Sequence, residues 1–454
     1  MRLAQLLLLG VNGALGALTV DIEDQDSIKE AAGLVAEDLM TFYKGEEEGE
    51  VRGILPGPPP DGDYYWWSGA VFWSTLIDYR NHSEDTTYDD IITRGILWQT
   101  GQNDDFMPAN WSASIGNDDQ ALWGLSASLA ALTGFQDPDV TDPQWVPLAR
   151  AVFDEQSTEF RRVDDGDCKG AMRWQIFPTN EGYNYINALS NIAYFNLGSQ
   201  LAYFTDNQTM SKLAEDTYDL LSDIGFVNDK FDVYDGAHAD TCNEINKAQY
   251  SHNAAMLLEG FAYQYKYTGD DNWKQRIDGL LKRTLEVFFP DGVAFEAACE
   301  EAERCNTDMK FFKGILHHSL ATTMRLAPHT ADTILPVLKS SAKAAVEHCT
   351  GGDSGRMCGF SWVADKFDAS SAGAQTGVLS ALVSVMTAAG GSSTSGNGTS
   401  NGGSTDTDSG SDSTTDDDST TGGDADTPGS MGTKSGVNIG VTLAALIFGA
   451  FAYM

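Results

Sequence analysis

Helical periodicity recurs through the middle of this chain, and the helices it marks are of two alternating kinds. Apolar positions spaced by three and four residues predict helices over 27–43, 66–80, 88–100, 118–133, 144–160, 185–205, 208–224, 250–268, 271–288, 309–327, 330–348 and 371–388. Strand-type alternation is scarce. One kind of helix is charged on one face, as in Trp273 to Arg283, and its partner is apolar or small nearly all round, as in Ala254 to Ala262. A helix apolar on every side has no face to give to water and must be enclosed by others. Six such pairs, recurring at roughly 60 residues, therefore predict an all-α (α/α)6 barrel of six inner and six outer helices. An open solenoid would need polar capping repeats, and none is visible.

The two ends read differently. Met1 and Arg2, an apolar stretch from Leu6 to Gly10, and small residues at Ala14, Gly16 and Ala17 have the order of a signal peptide, here residues 1–17. Residues 389–436 are Gly, Ser, Thr and Asp with almost nothing to bury, which predicts a disordered, O-glycosylated linker after a catalytic domain over 18–388. Residues 437–454 are apolar and uncharged and follow a polar spacer with Lys434 and small residues between Gly422 and Ser430. That order is a glycosylphosphatidylinositol (GPI) attachment signal, the tail being removed on maturation. The alternative, a single membrane-spanning helix, would have the bare minimum length and no basic flank. The expected location is therefore secreted and GPI-anchored to plasma membrane and cell wall. Sequons at Asn81, Asn110, Asn207 and Asn397 fit this route as glycosylation sites.

Six cysteines, an even count, suit an oxidising compartment. Short separations favour Cys299 with Cys305 and Cys349 with Cys358, leaving Cys168 for Cys242; no paired spacing suggests a metal site. The formal charge is −38, of which about −31 lies outside the linker. Such a surface repels nucleic acid and anionic membranes but is indifferent to neutral sugars.

In a closed double ring the inner helices run the same way, so the segments that precede them share one basin. These read Tyr64 to Gly69, Gly116 to Gln120, Glu181 to Asn187, Ala248 to Asn253, Lys310 to Gly314 and Ser370 to Gln375. Aromatics, amides and acids dominate five of the six. Sugar rings present apolar C–H faces and a rim of hydroxyls, so flat aromatics beside amides and carboxylates suit a glycan. Taken singly, each segment also reads as core aromatics and helix caps.

Asp118 and Asp119 are harder to read as caps alone, because they open the buried helix that begins Ala121-Leu122-Trp123. Retaining glycoside cleavage needs a carboxylate nucleophile and a carboxylic acid about 5 Å apart, whereas inversion needs room for a water between them. Neighbouring residues suit the shorter distance. Mutual repulsion would split their proton affinities, one ionised and one protonated.

At these residues the chain resembles glycoside hydrolase family 76, and within it fungal cell-wall proteins described as mannan endo-1,6-α-mannosidase-like. The matching runs are Tyr64 to Trp73, Gly116 to Gly124, Arg173 to Phe177, Gly182 to Asn191 and Asn243 to Gly269, within a resemblance over 20–388. It implies an (α/α)6 fold, a retaining mechanism and an α-1,6-mannose donor, with Asp118 as nucleophile and Asp119 as acid/base. It also implies that Tyr65, Trp66, Trp67, Asn117, Gln120, Trp123, Arg173, Trp174, Asn184, Asn191, Gln249, Tyr250 and Asn253 are substrate-binding candidates. The fungal members suggest the GPI core glycan as donor and β-glucan as acceptor, hence transglycosylation as well as hydrolysis, by a monomer without cofactor or metal.

The competing reading is a non-catalytic glycan-binding or adhesion protein on a stalk. Binding alone, however, needs no adjacent acids. Asp164 to Cys168 reads as a solvated turn rather than a calcium loop, and His317-His318 as core or rim histidines rather than ligands.

Overall fold

The computed structural model describes residues 17–364 and 366–389. The expected signal peptide up to Gly16, the linker from Gly390, the terminal tail and the Asn397 sequon lie outside them.

Among the described residues twelve α-helices follow in chain order: α1 (Gln25–Met40), α2 (Trp67–Ser83), α3 (Asp89–Leu97), α4 (Asn117–Thr133), α5 (Trp145–Gln156), α6 (Ala188–Thr205), α7 (Gln208–Ile224), α8 (Ser251–Thr268), α9 (Asp271–Phe288), α10 (Phe312–Leu326), α11 (Ala331–Glu347) and α12 (Ala372–Ala389). The even-numbered helices close a ring, each packing on the next and α12 returning to α2. Around it α3 packs on α2, α5 on α4, α7 on α6, α9 on α8, α11 on α10 and α12, and α1 on α12 and α2. The chain is the expected (α/α)6 barrel.

Composition decides which ring a helix joins. Inner α8 buries 14 of its 18 residues, whereas outer α9 buries only Trp273, Ile277, Leu280, Leu281, Thr284 and Phe288, one stripe at helical spacing. Each large apolar side chain so enclosed contributes about 1.5–3 kcal/mol. The charged remainder of α9 stays in water.

Two predicted helix starts are moved by local chemistry. Residues 185–187 form a short strand β1 (Tyr185–Asn187), antiparallel to β2 (Gly236–His238), because Asn187 caps α6 with its side chain accepting from Ser190 N–H. Residues 309–311 form a 3-10 turn leading into α10. A second small ladder joins β3 (Cys349–Gly351) to β4 (Met357–Cys358). The disulfides are Cys168–Cys242, Cys299–Cys305 and Cys349–Cys358, the pairing that the separations favoured.

On the barrel axis lies a cavity of about 70 Å³, walled by residues of all six inner helices. His318 of α10 spans two carboxylates there: its Nδ1 is 3.0 Å from Asp78 Oδ2 and its Nε2 3.6 Å from Glu259 Oε1. Those carboxylates hold the imidazole protonated, its pKa raised to about 10 against the opposing effect of burial. Ser319 Oγ and Asn196 Nδ2 also donate to Glu259, so the ring of helices is tied across its axis by charge. The other histidine of the pair, His317, bonds the Lys313 carbonyl within α10.

Candidate active site

The start of α4 is fixed from three sides. Asn117 N–H donates to the Trp174 carbonyl and Asn117 Nδ2 to the Arg173 carbonyl, both at 2.8 Å, while Trp174 N–H donates to the Tyr185 carbonyl at 2.8 Å. From behind, Arg161 Nη1 donates to Asn117 Oδ1 at 2.6 Å and Gln156 Nε2 to the Asn117 carbonyl at 2.8 Å. Asn191 clamps Met172 by both its amide atoms. Two glycines make this packing possible. A Cβ on Gly116 would lie 2.4 Å from Asp118 Oδ1, and one on Gly182, already at φ +88°, would lie 2.4 Å from the Trp174 ring.

The two acids receive different hydrogen bonds. Asp118, which is 7% exposed, accepts from Asn187 Nδ2 at 2.7 Å, from Asp119 N–H at 2.9 Å and from the Trp174 indole. Burial raises its pKa to about 6, and these donors restrain the rise by favouring the carboxylate. Asp119 accepts from Gly116 N–H at 2.7 Å and lies beside the charges of Asp118 and Asp308. Burial first, and then Asp118, pushes its proton affinity well above the usual carboxylate range. The surroundings therefore favour the carboxylate at Asp118 and the carboxylic acid at Asp119.

Asn187→Ala tests this arrangement. Without its donor the Asp118 carboxylate is less favoured, so the acid limb of kcat/KM is expected to move upward from about pH 6 in a pH–rate profile. Loss of the cap is expected to lower stability by about 1 kcal/mol.

The predicted binding residues divide by position. Tyr65 is 49% exposed and Trp174 37%, and Trp67, Arg173, Gln249 and Tyr250 are half-buried at the open ends of their segments. Asn184 is exposed and donates to Asp240, and Arg173 stacks on Tyr183. Others point inward and offer no surface to a ligand. Asn117, Gln120, Trp123 and Asn191 are fully buried. Trp66 packs on Trp123 and donates to Gln99, because its indole N–H finds an acceptor only behind the helix start. Asn253 is buried at the start of α8 with its Oδ1 unbonded. Of these, Asn117 fixes the start of the helix that carries the acids. Two residues that act on the acids stood outside the expected set. Asn187 stood in the run Gly182 to Asn191, where an Asn just before a buried helix reads as a cap, and Asp308 stood three residues after Cys305 with only its charge as a signal.

The model of the family described as glycosyl hydrolase family 76 matches residues 27–396. Mannan endo-1,6-α-mannosidase DCW1 of Saccharomyces cerevisiae is 38% identical over 356 residues, 78% of this chain and 77% of that protein. The Candida glabrata protein of the same name is 38% identical over 374 residues, 81% of each chain. Among solved structures, Dfg5 from Chaetomium thermophilum in complex with glucosamine is 46% identical, with a TM-score of 0.79 over 81% of this chain and 92% of that one.

Proposed function

The chain belongs to glycosyl hydrolase family 76, and on that premise we propose that it is a retaining α-1,6-mannan endo-mannosidase or transglycosylase, with Asp118 as nucleophile and Asp119 as acid/base. The observation that carries this reading is the unequal hydrogen bonding of two adjacent acids at the start of an inner helix. The Asp118 carboxylate attacks the anomeric carbon as the glycosidic C–O bond breaks, and the Asp119 proton passes to the leaving oxygen. A covalent glycosyl-enzyme results. An incoming hydroxyl then gives its proton to Asp119 and its oxygen to the anomeric carbon, releasing Asp118. Water as acceptor gives hydrolysis and a sugar hydroxyl gives transfer.

The relatives' names support α-1,6-mannan as donor class. The signal-like start, acidic linker and apolar tail support a secreted, GPI-anchored enzyme of the cell surface, acting on α-mannosides such as the GPI core glycan and passing them to wall β-glucan. A purely adhesive role is not favoured, since adhesion needs no buried acids of split proton affinity. The test is incubation of the secreted protein with an α-1,6-mannan oligosaccharide, with and without a β-glucan oligomer. Shorter mannan products with retained anomeric configuration, or a mannosyl-glucan adduct by mass, are expected. Inverted products, or no products at all, would overturn the reading.

A further inference from the structure

The short β1–β2 ladder carries a second polar cluster beside the acids. Side chains alternate along a strand, so Tyr185 and Asn187 project from the same face of β1, about 7 Å apart. From that face Asn187 reaches Asp118 at 2.7 Å. Gly236 stands opposite Asn187 in the ladder and adds no side chain there, while His238 stands opposite Tyr185 with its ring 5.1 Å away. The exposed Trp174 meets the Tyr185 ring edge-on at 6.5 Å. The Tyr185 hydroxyl donates to Asp235 Oδ2 at 2.5 Å, and Asn246 Nδ2 donates to the same oxygen at 2.9 Å. Asp235 is fixed through its backbone, its carbonyl accepting from Ala188 N–H at 2.6 Å and its N–H donating to the Asn246 carbonyl at 3.1 Å. The Cys168–Cys242 bridge ties the segment before Trp174 to the one after β2. The turn is thus held by backbone bonds and a disulfide, and the carboxylate is left half satisfied. Both donors go to Oδ2, and no cation pairs with it among the described residues. The neighbouring Asp232, by contrast, has Arg283 on one oxygen and Asn228 and Tyr234 on the other.

We propose that Asp235 and Tyr185 are specificity-determining residues: they hold the 3- and 4-hydroxyls of the mannose unit attacked by Asp118 and so restrict the donor to units unsubstituted at those positions. The inference rests on the glycosidase reading above and adds the edge of the sugar that the two acids do not reach. A pyranose whose anomeric carbon lies at Asp118 and whose ring runs along this face of β1 brings its far edge, with the 3- and 4-hydroxyls, to Tyr185 and Asp235. Two vicinal hydroxyls match the pair. Asp235 Oδ1 accepts from one, and the Tyr185 oxygen, whose own proton is committed to Asp235 Oδ2, accepts from the other. A hydrogen bond to an ionised acceptor is the stronger kind, and the donors from Tyr185 and Asn246 favour the ionised form against the effect of burial. The Trp174 ring supplies an apolar wall for the C–H face of the sugar. In an α-1,6-linked chain the 3- and 4-hydroxyls of each unit are free. A branch on either would take away a hydroxyl proton and set bulk against the Asp235 carboxylate.

The test measures kcat/KM of the full-length wild type, Asp235→Ala and Tyr185→Phe on an activated α-mannoside donor and on its 2-deoxy, 3-deoxy and 4-deoxy counterparts. The ratio of variant to wild type on one donor cancels that donor's own reactivity. On the parent donor Asp235→Ala is expected to lose about 10–100-fold, the penalty of an unpaired polar group in a site built for a hydroxyl, and Tyr185→Phe about tenfold. On the 3-deoxy or the 4-deoxy donor each loss should fall below about threefold for the hydroxyl that the residue holds, because the wild type has already lost that bond. On the 2-deoxy donor both losses should stay in full. Equal losses on all four donors would mean that the pair acts only through the fold, and the inference fails. A loss that disappears on the 2-deoxy donor instead would contradict the hydroxyl assignment. If Asp235→Ala does not fold, Tyr185→Phe, which keeps the ring between Trp174 and His238, decides by the same comparison. Wild type that does not turn over the parent donor would overturn the glycosidase reading itself, and this inference with it.

Discussion

Replacing Asp118 by Asn is expected to lower kcat by more than about 10⁴-fold, because no covalent glycosyl-enzyme can form without the carboxylate and groups acting as one unit lose nearly everything together. Asp119→Ala is expected to lose about 10²–10⁴-fold on ordinary donors and much less on donors with a leaving group that needs no proton. Steady-state kinetics on both donors, with trapping of the covalent intermediate, separates the two roles. A folded Asp118→Asn protein that still turns over at near the wild-type rate would remove the nucleophile assignment. Stability should move the other way. The folded pKa of Asp118, about 6, lies above that of an unfolded aspartate, so its ionisation weighs against the fold as pH rises through that range. Asp118→Asn removes that burden. Its melting temperature at pH 7 is expected to be equal to or above wild type, and the advantage should shrink as pH falls from about 6 toward about 4, below which Asp118 is protonated in both states.

The second large effect lies on the barrel axis, away from the acids. His318→Leu leaves Glu259 buried without its cation and Asp78, half-buried, with only His82 at 3.5 Å, and breaking such an ion pair is expected to destabilise the protein by up to about 3–5 kcal/mol. Denaturant unfolding measures this directly. The sign of the pH dependence follows from the raised value of His318. Its contribution is fully present below the unfolded pKa of about 6.5 and is lost as pH rises from there toward about 10. Asp78 and Glu259, whose values are held down by the same imidazolium, contribute above about pH 4 and lose that contribution as pH falls further. Wild-type stability is therefore expected to be greatest between about pH 4 and 6.5 and to decline through neutrality. His318→Gln, which cannot hold the charge, should flatten the alkaline decline. A wild-type melting temperature independent of pH between 6 and 9 would contradict the axial triad as described.

How far the sequence reached is clearest at α8 and α9. Their boundaries, 250–268 and 271–288, differ from the observed ones by at most one residue, because a helix apolar all round and a helix with one apolar stripe each have one stable place in a double ring. The same local logic placed Asp118 and Asp119 at the mouth of an inner helix and paired the cysteines by separation. It erred where a side chain chose between two acceptable roles. Tyr185 to Asn187 carry helix-compatible residues, yet Asn187 caps α6 and the preceding residues pair with Gly236–His238. Trp66 and Trp67 are identical in type and adjacent, yet one turns into the core to reach Gln99 and the other reaches Asp308.

The sequence by itself determined the ring of helices, the acids at its mouth and the disulfides, since periodicity, helix polarity and cysteine separation act over short stretches of chain. Tertiary structure alone decided which acid keeps its proton. Asn187 lies 69 residues from Asp118, and Asp308 is farther still along the chain from Asp119. A pKa depends on burial and on charges within a few ångströms, and those neighbours are assembled only when the barrel closes and brings the starts of its inner helices to one face.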